Sequence, residues 1–198
     1  PDGFYGGEYF LSTAPMGAFD FFTAQFQEWL VLMNWARRRS SAPVSVGGTS
    51  LGAQCAQTMS IRANDLPRRL QPDAMILLTH CAHVWEVALD GVLADIWGLH
   101  DPLHDLGWTR DIMEQWLSKL DPPGAPCMPP ENIISVIGHA DKVTPYASGR
   151  RLQQLWQLPP ENTFDWPSGH FTVPIRMVRH RQPIERFKQI IDRLQAQQ

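Results

Sequence analysis

Hydrophobic positions along the chain alternate between helical periodicity and short continuous runs. From Met16 to Arg39, apolar residues recur at steps of three or four, which places one set on a buried helix face (Phe19, Phe22, Phe26, Leu30 and Met33). The same reasoning predicts helices from Leu51 to about Ala63, from Thr144 to Leu158 and from Pro183 to Gln197. The last helix is expected to bury Ile184, Phe187, Ile191 and Leu194.

Between these helices lie short apolar runs. The runs "AMILLT" at 74–79 and Ile133–Ile137 are apolar almost without a break, as in strands that are buried on both faces. Val44–Gly47 and Asn162–Trp166 predict two shorter strands. Strands that alternate with helices indicate an α/β fold, with a mostly parallel sheet and helices on both faces, and here a single domain over residues 1–198.

A helical, tryptophan-rich segment at about 80–120 interrupts this alternation, and a loop with five prolines follows at 121–132. The tryptophans are expected to build the core first, and the lining of an apolar pocket is their second interpretation (Trp85, Trp97, Trp108 and Trp116).

Composition narrows the possible function classes. The 198 residues are 43% hydrophobic and 19% charged, with a net charge of −3. The one basic triplet, Arg37-Arg38-Arg39, ends a predicted helix and suits its dipole, so nucleic acid is not an expected partner. No apolar stretch is long enough to span a membrane. Three cysteines without CxxC spacing indicate free thiols in a reducing compartment and hence a cytoplasmic location (Cys55, Cys81 and Cys127).

The junction between the first predicted strand and the following helix carries the strongest chemical signal. The sequence "VGGTSLG" places Ser50 between Gly48 and Gly52. A turn this tight crowds the residues two before and two after its apex, so larger side chains are expected to clash at both glycine positions. The apex residue is then held in a strained backbone conformation, with its side chain in the cleft beyond the strand ends. The N–H of Leu51, at the helix N-terminus, is free to donate to a developing oxyanion.

This G-x-S-x-G pattern between a strand and a helix resembles the nucleophile elbow of the α/β-hydrolase superfamily. The resemblance implies a Ser-His-Asp triad in the chain order serine, acid, histidine. The sequence "GHADKVTP" follows the strand Ile133–Ile137, is similar to the superfamily's acid loop and supplies Asp141. The "GH" after the last predicted strand supplies His170. The segment at about 80–120 falls where the superfamily inserts a cap over the active site.

Each of these residues also has an ordinary structural interpretation. Ser50 could simply occupy a glycine-rich turn, Asp141 could cap the next helix, and His170 could be a solvated loop residue. Asp165 is the alternative acid. His80 follows the strand at 74–79 and is expected near the mouth of the cleft. The histidines around it match no firm metal-ligand spacing, so neither a metal nor an organic cofactor is expected (His80, His83, His100 and His104).

The resemblance covers only the carboxyl half of the superfamily's fold. The superfamily places a helix, a strand and another helix between its oxyanion loop and the elbow, whereas a single long helix fits between Ser12 and Ser40. The sequence "GFYGG" at 3–7 is therefore not expected to be that loop, and the first four strands and the second oxyanion donor would be absent. Because the chain starts at Pro1 and such a piece would expose a sheet edge, the natural protein is expected to be longer.

Together these features predict a serine hydrolase that cleaves a small-molecule carboxylic ester or thioester through an acyl-enzyme intermediate. The same triad would serve an acyltransferase, in which an alcohol replaces water as the acceptor. A non-catalytic binding or scaffold protein that keeps the hydrolase fold is the alternative from a different class.

Overall fold

The computed structural model describes residues 16–96, 105, 107–121 and 124–197, and in it helices and strands alternate as the sequence predicts. The elements in chain order are α1 (Met16–Arg39), β1 (Ser45–Thr49), α2 (Leu51–Arg62), β2 (Ala74–Leu78), α3 (Val84–Leu89), α4 (Val92–Ile96), α5 (Arg110–Leu117), β3 (Ile133–Gly138), α6 (Tyr146–Leu155), β4 (Thr163–Trp166), α7 (Thr172–Arg179) and α8 (Gln182–Gln195). The segment "GFYGG", together with Trp97, His100 and His104, lies outside the described residues.

The strands β1 to β4 form one parallel sheet, in which each strand pairs with the next in the chain. The register is fixed by the cross-strand pairs Ser45–Ala74, Met75–Ile133 and Ser135–Thr163. β3 is buried along its whole length and β2 almost so, as the continuous apolar runs predict. Because the strands are parallel, their carboxyl ends meet at one edge of the sheet. Ser50, Asp141 and His170 each follow such an end.

Helices cover both faces of the sheet, which confirms the predicted fold class. α2 and α6 pack on one face against alternate side chains of β2 and β3 (Ala53, Ala56 and Leu152 against Met75, Leu77 and Ile133). α7 and α8 pack on the opposite face (Val173 and Ile190 against Ala74, Leu78, Ile134 and Val136).

α1 forms a further layer that packs against α2 and α5. Phe22 and Met33 of the predicted stripe are buried there, and the remaining members are partly buried against the same cluster (Phe19, Phe26 and Leu30). At the end of α1, Arg37 Nη2 lies 2.7 Å from Asp73 Oδ2, whose side chain is buried. Arg37 therefore has a specific partner in addition to the helix dipole.

Two local predictions differ from the structure. The sequence pattern does not predict α7, because Pro174 and two β-branched neighbours weaken the helical signal of "TVPIRMVR". Its Ile175 and Val178 are moreover exposed, so the segment has no simple buried stripe. In α8, Ile184 is 38% exposed and Ile190 is buried in the core.

Cys55, Cys81 and Cys127 are free thiols, as predicted. Burial raises the pKa of Cys55 and of Cys127 to about 11, and burial also holds the pKa of Cys81 well above its usual value. Of the helices in the described ranges, none combines the length and the apolar character needed to cross a bilayer.

Candidate active site

Ser50 sits at the sharp turn that joins β1 to α2. Its backbone has φ 56° and ψ −122°, a conformation that residues other than glycine rarely adopt. Two sets of hydrogen bonds hold it there: the Ser50 N–H donates to the Leu78 carbonyl at 3.0 Å, and the Ser50 carbonyl accepts from Ala53 and Gln54 at 2.9 and 3.1 Å. The turn is therefore fixed by the end of β2 on one side and by the first turn of α2 on the other.

The close approach of β1 and α2 at this turn explains why position 48 must be glycine, but it does not explain the glycine at position 52. A β-carbon on Gly48 would overlap the backbone of Gly52 and lie 2.5 Å from the Ala53 nitrogen, so no larger residue fits. A β-carbon on Gly52 would have no described atom within 4 Å. The prediction that both glycines are sterically required is therefore wrong for Gly52, because the crowded atoms are its backbone and not the space where a side chain would lie.

The N-terminus of α2 leaves backbone donors next to Ser50. Leu51 and Gly52 are the first two residues of the helix, and their N–H groups donate to no described atom. Unpaired N–H groups at a helix start favour negative charge, and the helix dipole adds to this preference.

Asp141 lies in the loop after β3 and is held by four hydrogen bonds. Its Oδ1 accepts from the N–H groups of Val143 and Thr144, both at 2.9 Å. Its Oδ2 accepts from the Thr144 hydroxyl at 2.8 Å and from His170 Nδ1, also at 2.8 Å. The carboxylate thus closes the turn that precedes α6 and also contacts the imidazole. It does not cap the helix itself, because the N-cap of α6 is Pro145 and no side chain caps it.

His170 lies in the loop after β4 and joins the other two residues. Its Nδ1 faces Asp141 Oδ2, and its Nε2 is 2.9 Å from Ser50 Oγ. The His170 and Asp141 side chains are 6% and 2% exposed. The structure therefore brings together Ser50, Asp141 and His170, which are 91 and 29 positions apart in the chain.

Backbone hydrogen bonds tie the loop of Asp141 to the loop of His170. The His139 N–H donates to the Trp166 carbonyl at 2.8 Å, and the Ala140 N–H donates to the Ser168 carbonyl at 3.1 Å. The Gly169 N–H donates to the Thr172 hydroxyl at 2.9 Å. The first two contacts extend the β3–β4 pairing past the strand ends, and the third holds the His170 loop on the start of α7, so the acid and the imidazole are carried on one continuous framework.

The electrostatics of Asp141 favour the ionised carboxylate. Burial alone would raise the pKa of Asp141, but the hydrogen bonds from His170 and Thr144 outweigh it and hold the pKa below its usual value. A carboxylate that accepts from Nδ1 fixes the imidazole tautomer with the proton on Nδ1, which leaves Nε2 as the acceptor that faces Ser50. The arrangement can therefore move a proton from the Ser50 hydroxyl to His170.

Thr144 is a participant that the sequence analysis does not single out. Its hydroxyl is buried, donates to Asp141 and lies 3.3 Å from His170 Nδ1. The sequence offered a partial signal, because an aspartate side chain often bonds to the backbone of the residues that follow it, and such a turn brings Thr144 close to Asp141.

Asp165, the alternative acid, is engaged elsewhere. Its carboxylate accepts from Tyr146 at 3.1 Å, from Arg150 at 3.1 Å and from Gln153 at 3.2 Å, and no hydrogen bond joins it to His170. The side chain belongs to a polar group on the flank of α6.

His80 is in the core and not at the cleft mouth, which corrects the sequence-based expectation. It is 1% exposed, and its Nε2 is 2.7 Å from the Ser135 hydroxyl in β3. Burial lowers the pKa of His80 to about 4, although Asp165 and Asp141 oppose the shift. The strand before it ends one residue earlier than predicted, and the chain then turns inward at Thr79, whose φ is 47°.

Within the described ranges, no group of three or more His, Cys, Asp or Glu side chains is arranged to hold a metal ion.

Comparisons with known proteins give a distant likeness at the level of the fold. No protein-family model matches the chain, and no curated protein matches it. Among solved structures, it is similar to an α/β hydrolase enzyme from a Medee basin deep-sea metagenome library, with a TM-score of 0.38 and 18% sequence identity. The likeness covers 74% of this chain and 66% of that chain, so this chain spans about two thirds of that enzyme's length. This is a distant likeness between folds, and the chemistry of the site rests on its own geometry.

Proposed function

We propose that this chain carries the catalytic centre of a serine hydrolase that cleaves a carboxylic ester or thioester. The observation that carries the proposal is the unbroken line of hydrogen bonds from Ser50 Oγ through both ring nitrogens of His170 to Asp141. A serine hydroxyl becomes a useful nucleophile when a base takes its proton and an acid orients that base. The three side chains here have the positions that these roles need.

In the proposed reaction, Ser50 Oγ attacks the carbonyl carbon of the substrate while His170 Nε2 accepts the hydroxyl proton. Asp141 stabilises the imidazolium that forms. His170 then gives the proton to the departing alcohol or thiol, and the acyl group stays on Ser50. Water then attacks the acyl-enzyme with His170 again as the base. His170 gives that proton to Ser50 Oγ as the acyl bond breaks, so the acid product leaves and the Ser50 hydroxyl is restored.

Charge that develops on the substrate oxygen needs donors close to Ser50. The Leu51 N–H is the proposed donor, because it belongs to the first residue of α2 and has no described partner. Loss of a single oxyanion donor in a serine hydrolase typically costs about 100- to 1,000-fold in rate. Among the described residues, no donor outside the start of α2 is identified, so activity is expected to depend on where such a second donor comes from.

Labelling with a fluorophosphonate probe tests the proposal without knowledge of the substrate. The probe forms a stable bond only with an activated serine, so we expect the wild-type chain to be labelled and Ser50→Ala to lose labelling by at least about 1,000-fold. Ser45→Ala is the matched control, because Ser45 is an exposed serine at the start of β1, the strand that leads to Ser50, and lies outside the site. Peptide mapping should place the label on Ser50.

The outcomes separate the proposal from its alternatives. Undiminished labelling of a folded Ser50→Ala protein would overturn the role of Ser50. A wild-type protein that is folded by circular dichroism but takes no label would favour a non-catalytic protein that keeps the fold. If the label lands on Ser50, product analysis with added alcohol distinguishes hydrolysis from acyl transfer.

A further inference from the structure

A cavity lies between α2 and α6, apart from the candidate active site. Its volume is about 380 Å³, within the range of pockets that hold small molecules. Most of its wall is apolar and includes Ile61, Leu152 and Trp156. None of Ser50, Asp141 and His170 lines it. Gln57 of its wall is seven residues after Ser50, which is about 10 Å along the helix axis.

Gln57 gives this cavity an unmet hydrogen-bond donor. The residue lines the cavity and is only 3% exposed, yet its side-chain nitrogen Nε2 has no partner among the described residues. A buried amide N–H without a partner is unfavourable, and such groups in native proteins usually meet a water or a ligand.

The other buried polar side chains of the wall, those of Gln54, Thr58 and Asp121, are already paired. Gln54 Nε2 donates to Asp121 Oδ1 at 2.8 Å, and the Val84 N–H donates to both oxygens of the same carboxylate at 3.1 and 3.0 Å. The Thr58 hydroxyl donates to the Leu120 carbonyl at 3.3 Å. His83, the remaining polar side chain of the wall, is 36% exposed, and its Nδ1 lies 3.6 Å from Asp121 Oδ2. Among the buried polar atoms of this wall, the unsatisfied donor is therefore that of Gln57, and its complement on a ligand is an acceptor oxygen.

The charged groups around the cavity also limit the net charge of a ligand that can bind there. An anion would face Asp121, which becomes negatively charged as pH rises through its pKa of about 7, and it would lose its hydration on entry into a small, mostly apolar space. A cation would also lose its hydration, and it would meet the positive end of the Gln57 amide while Asp121 is occupied by its own donors. A neutral molecule avoids both costs.

We propose that this cavity is a second binding site, for a small uncharged molecule that is apolar over most of its surface and presents one carbonyl oxygen to Gln57. The apolar body packs against Ile61, Leu152 and Trp156, and the carbonyl accepts a hydrogen bond from Gln57 Nε2. This site is additional to the proposed hydrolase chemistry and does not depend on it.

A matched pair of probe compounds tests the site directly. Acetophenone carries a phenyl ring and a carbonyl, whereas α-methylstyrene has nearly the same shape but replaces the carbonyl oxygen with a methylene group. We expect acetophenone to bind about five- to tenfold more tightly, as one hydrogen bond to a buried donor predicts. Titrations of the ¹⁵N-labelled chain should shift the side-chain amide of Gln57 and the indole of Trp156, and they should leave the amide signals of Ser50 and His170 in place.

Two variants distinguish this site from general apolar binding. Gln57→Leu keeps the approximate shape and removes the donor, so the two compounds should bind equally well to it. Ala125→Trp changes an exposed residue at the rim of the cavity and should weaken both compounds at least tenfold by filling the space. The rim variant still tests the site if Gln57→Leu does not fold.

Three results would overturn the proposal. Equal affinity of the two compounds for the wild-type chain would remove the role of the carbonyl. Shifts centred at Ser50 and His170 would place the binding in the active site. Tighter binding of 1-phenylethylamine, the cationic analogue, would assign the cavity to ammonium ligands of Asp121. None of these results bears on the labelling of Ser50, so the two proposals fail separately.

Discussion

At the scale of single residues, the candidate site depends on how firmly Asp141 is held. Asp141 accepts two backbone N–H groups and the Thr144 hydroxyl before it meets His170. Three hydrogen bonds from Val143 and Thr144 hold the carboxylate in one orientation. Its Oδ2 then accepts from His170 and fixes the position of the imidazole. Thr144 is therefore a positioning residue, since it acts on His170 through Asp141.

Replacement of Thr144 by valine should slow the reaction of Ser50 by about tenfold. The change removes the donor to Asp141 Oδ2 while keeping the size of the side chain. Because that hydrogen bond helps to hold the pKa of Asp141 low, its loss moves the pKa upward, and the loss of activity on acidification should begin at a higher pH. The measurement is the rate constant of fluorophosphonate labelling as a function of pH.

Thr144→Ser is the control for this prediction, because serine keeps the hydroxyl. It should restore most of the rate and the wild-type pH profile. A valine variant with a lower rate but an unchanged acid limb would instead indicate a purely structural role for Thr144.

At the scale of elements, the structure of the turn from β1 to α2 gives different roles to Gly48 and Gly52, which look equivalent in the sequence. Gly48→Ala should unfold or strongly distort the turn, because a β-carbon there overlaps the backbone of Gly52. Gly52→Ala should be neutral or stabilising by about 0.5–1 kcal/mol, because alanine is the better helix former and the space is open.

This pair of variants is tested by urea unfolding together with labelling of Ser50. Gly48→Ala should lose both stability and labelling, and Gly52→Ala should keep both. Similar losses in the two variants would mean that Gly52 is also needed in the turn, as the G-x-S-x-G pattern alone implies.

The same turn illustrates how much of the fold and the site the sequence could predict. Periodicity located α1, α2, β2, β3, α6 and α8, because each presents a regular apolar pattern to one or two buried faces. It missed α7, whose exposed Ile175 and Val178 break that pattern. It could place Ser50, Asp141 and His170 at strand ends, because parallel strands order their carboxyl ends on one side.

Other features depend on contacts that no local pattern encodes. The burial of His80 follows from its partner Ser135, 55 positions away, and the engagement of Asp165 follows from the way α6 lies over β4. The cavity beside Gln57 arises from the packing of two helices. These features required the tertiary structure.

At the scale of the whole molecule, β1 is an edge strand of the described sheet, since it pairs with β2 alone. Its alternate residues are exposed, and α1 beside it exposes large apolar side chains (Val31, Leu32 and Trp35, at 68%, 62% and 53%). An open parallel edge next to an apolar helix face is a surface that favours further association. The stability of the chain in solution is therefore best measured at low protein concentration.

Asp121 couples the stability of the whole chain to pH, because it joins three separate segments. Its side chain is 6% exposed and links the loop before β3 to the start of α3 and to Gln54 of α2. Burial raises the pKa of Asp121 to about 7 from an unfolded value of 3.8, although the hydrogen bonds from Val84 and Gln54 oppose the shift. Between these two values the folded chain holds a proton that the unfolded chain releases. The free energy of unfolding should therefore fall as pH rises through this window, by at most about 1.4 kcal/mol per pH unit from this group.

The variant Asp121→Asn removes this titration and isolates its effect. Urea unfolding of the wild-type chain and the variant at several pH values between about 5 and 8 gives the difference in their stabilities. As pH rises to about 7, the free energy of unfolding of the variant should increase relative to that of the wild-type chain. Above about pH 7 the difference should become constant, because Asp121 is then ionised in both the folded and the unfolded chain. Asp65→Asn, which changes an exposed carboxylate, should show no comparable trend. A stability difference that stays constant across the whole range would mean that Asp121 is ionised in the folded chain throughout, and that its donors outweigh its burial.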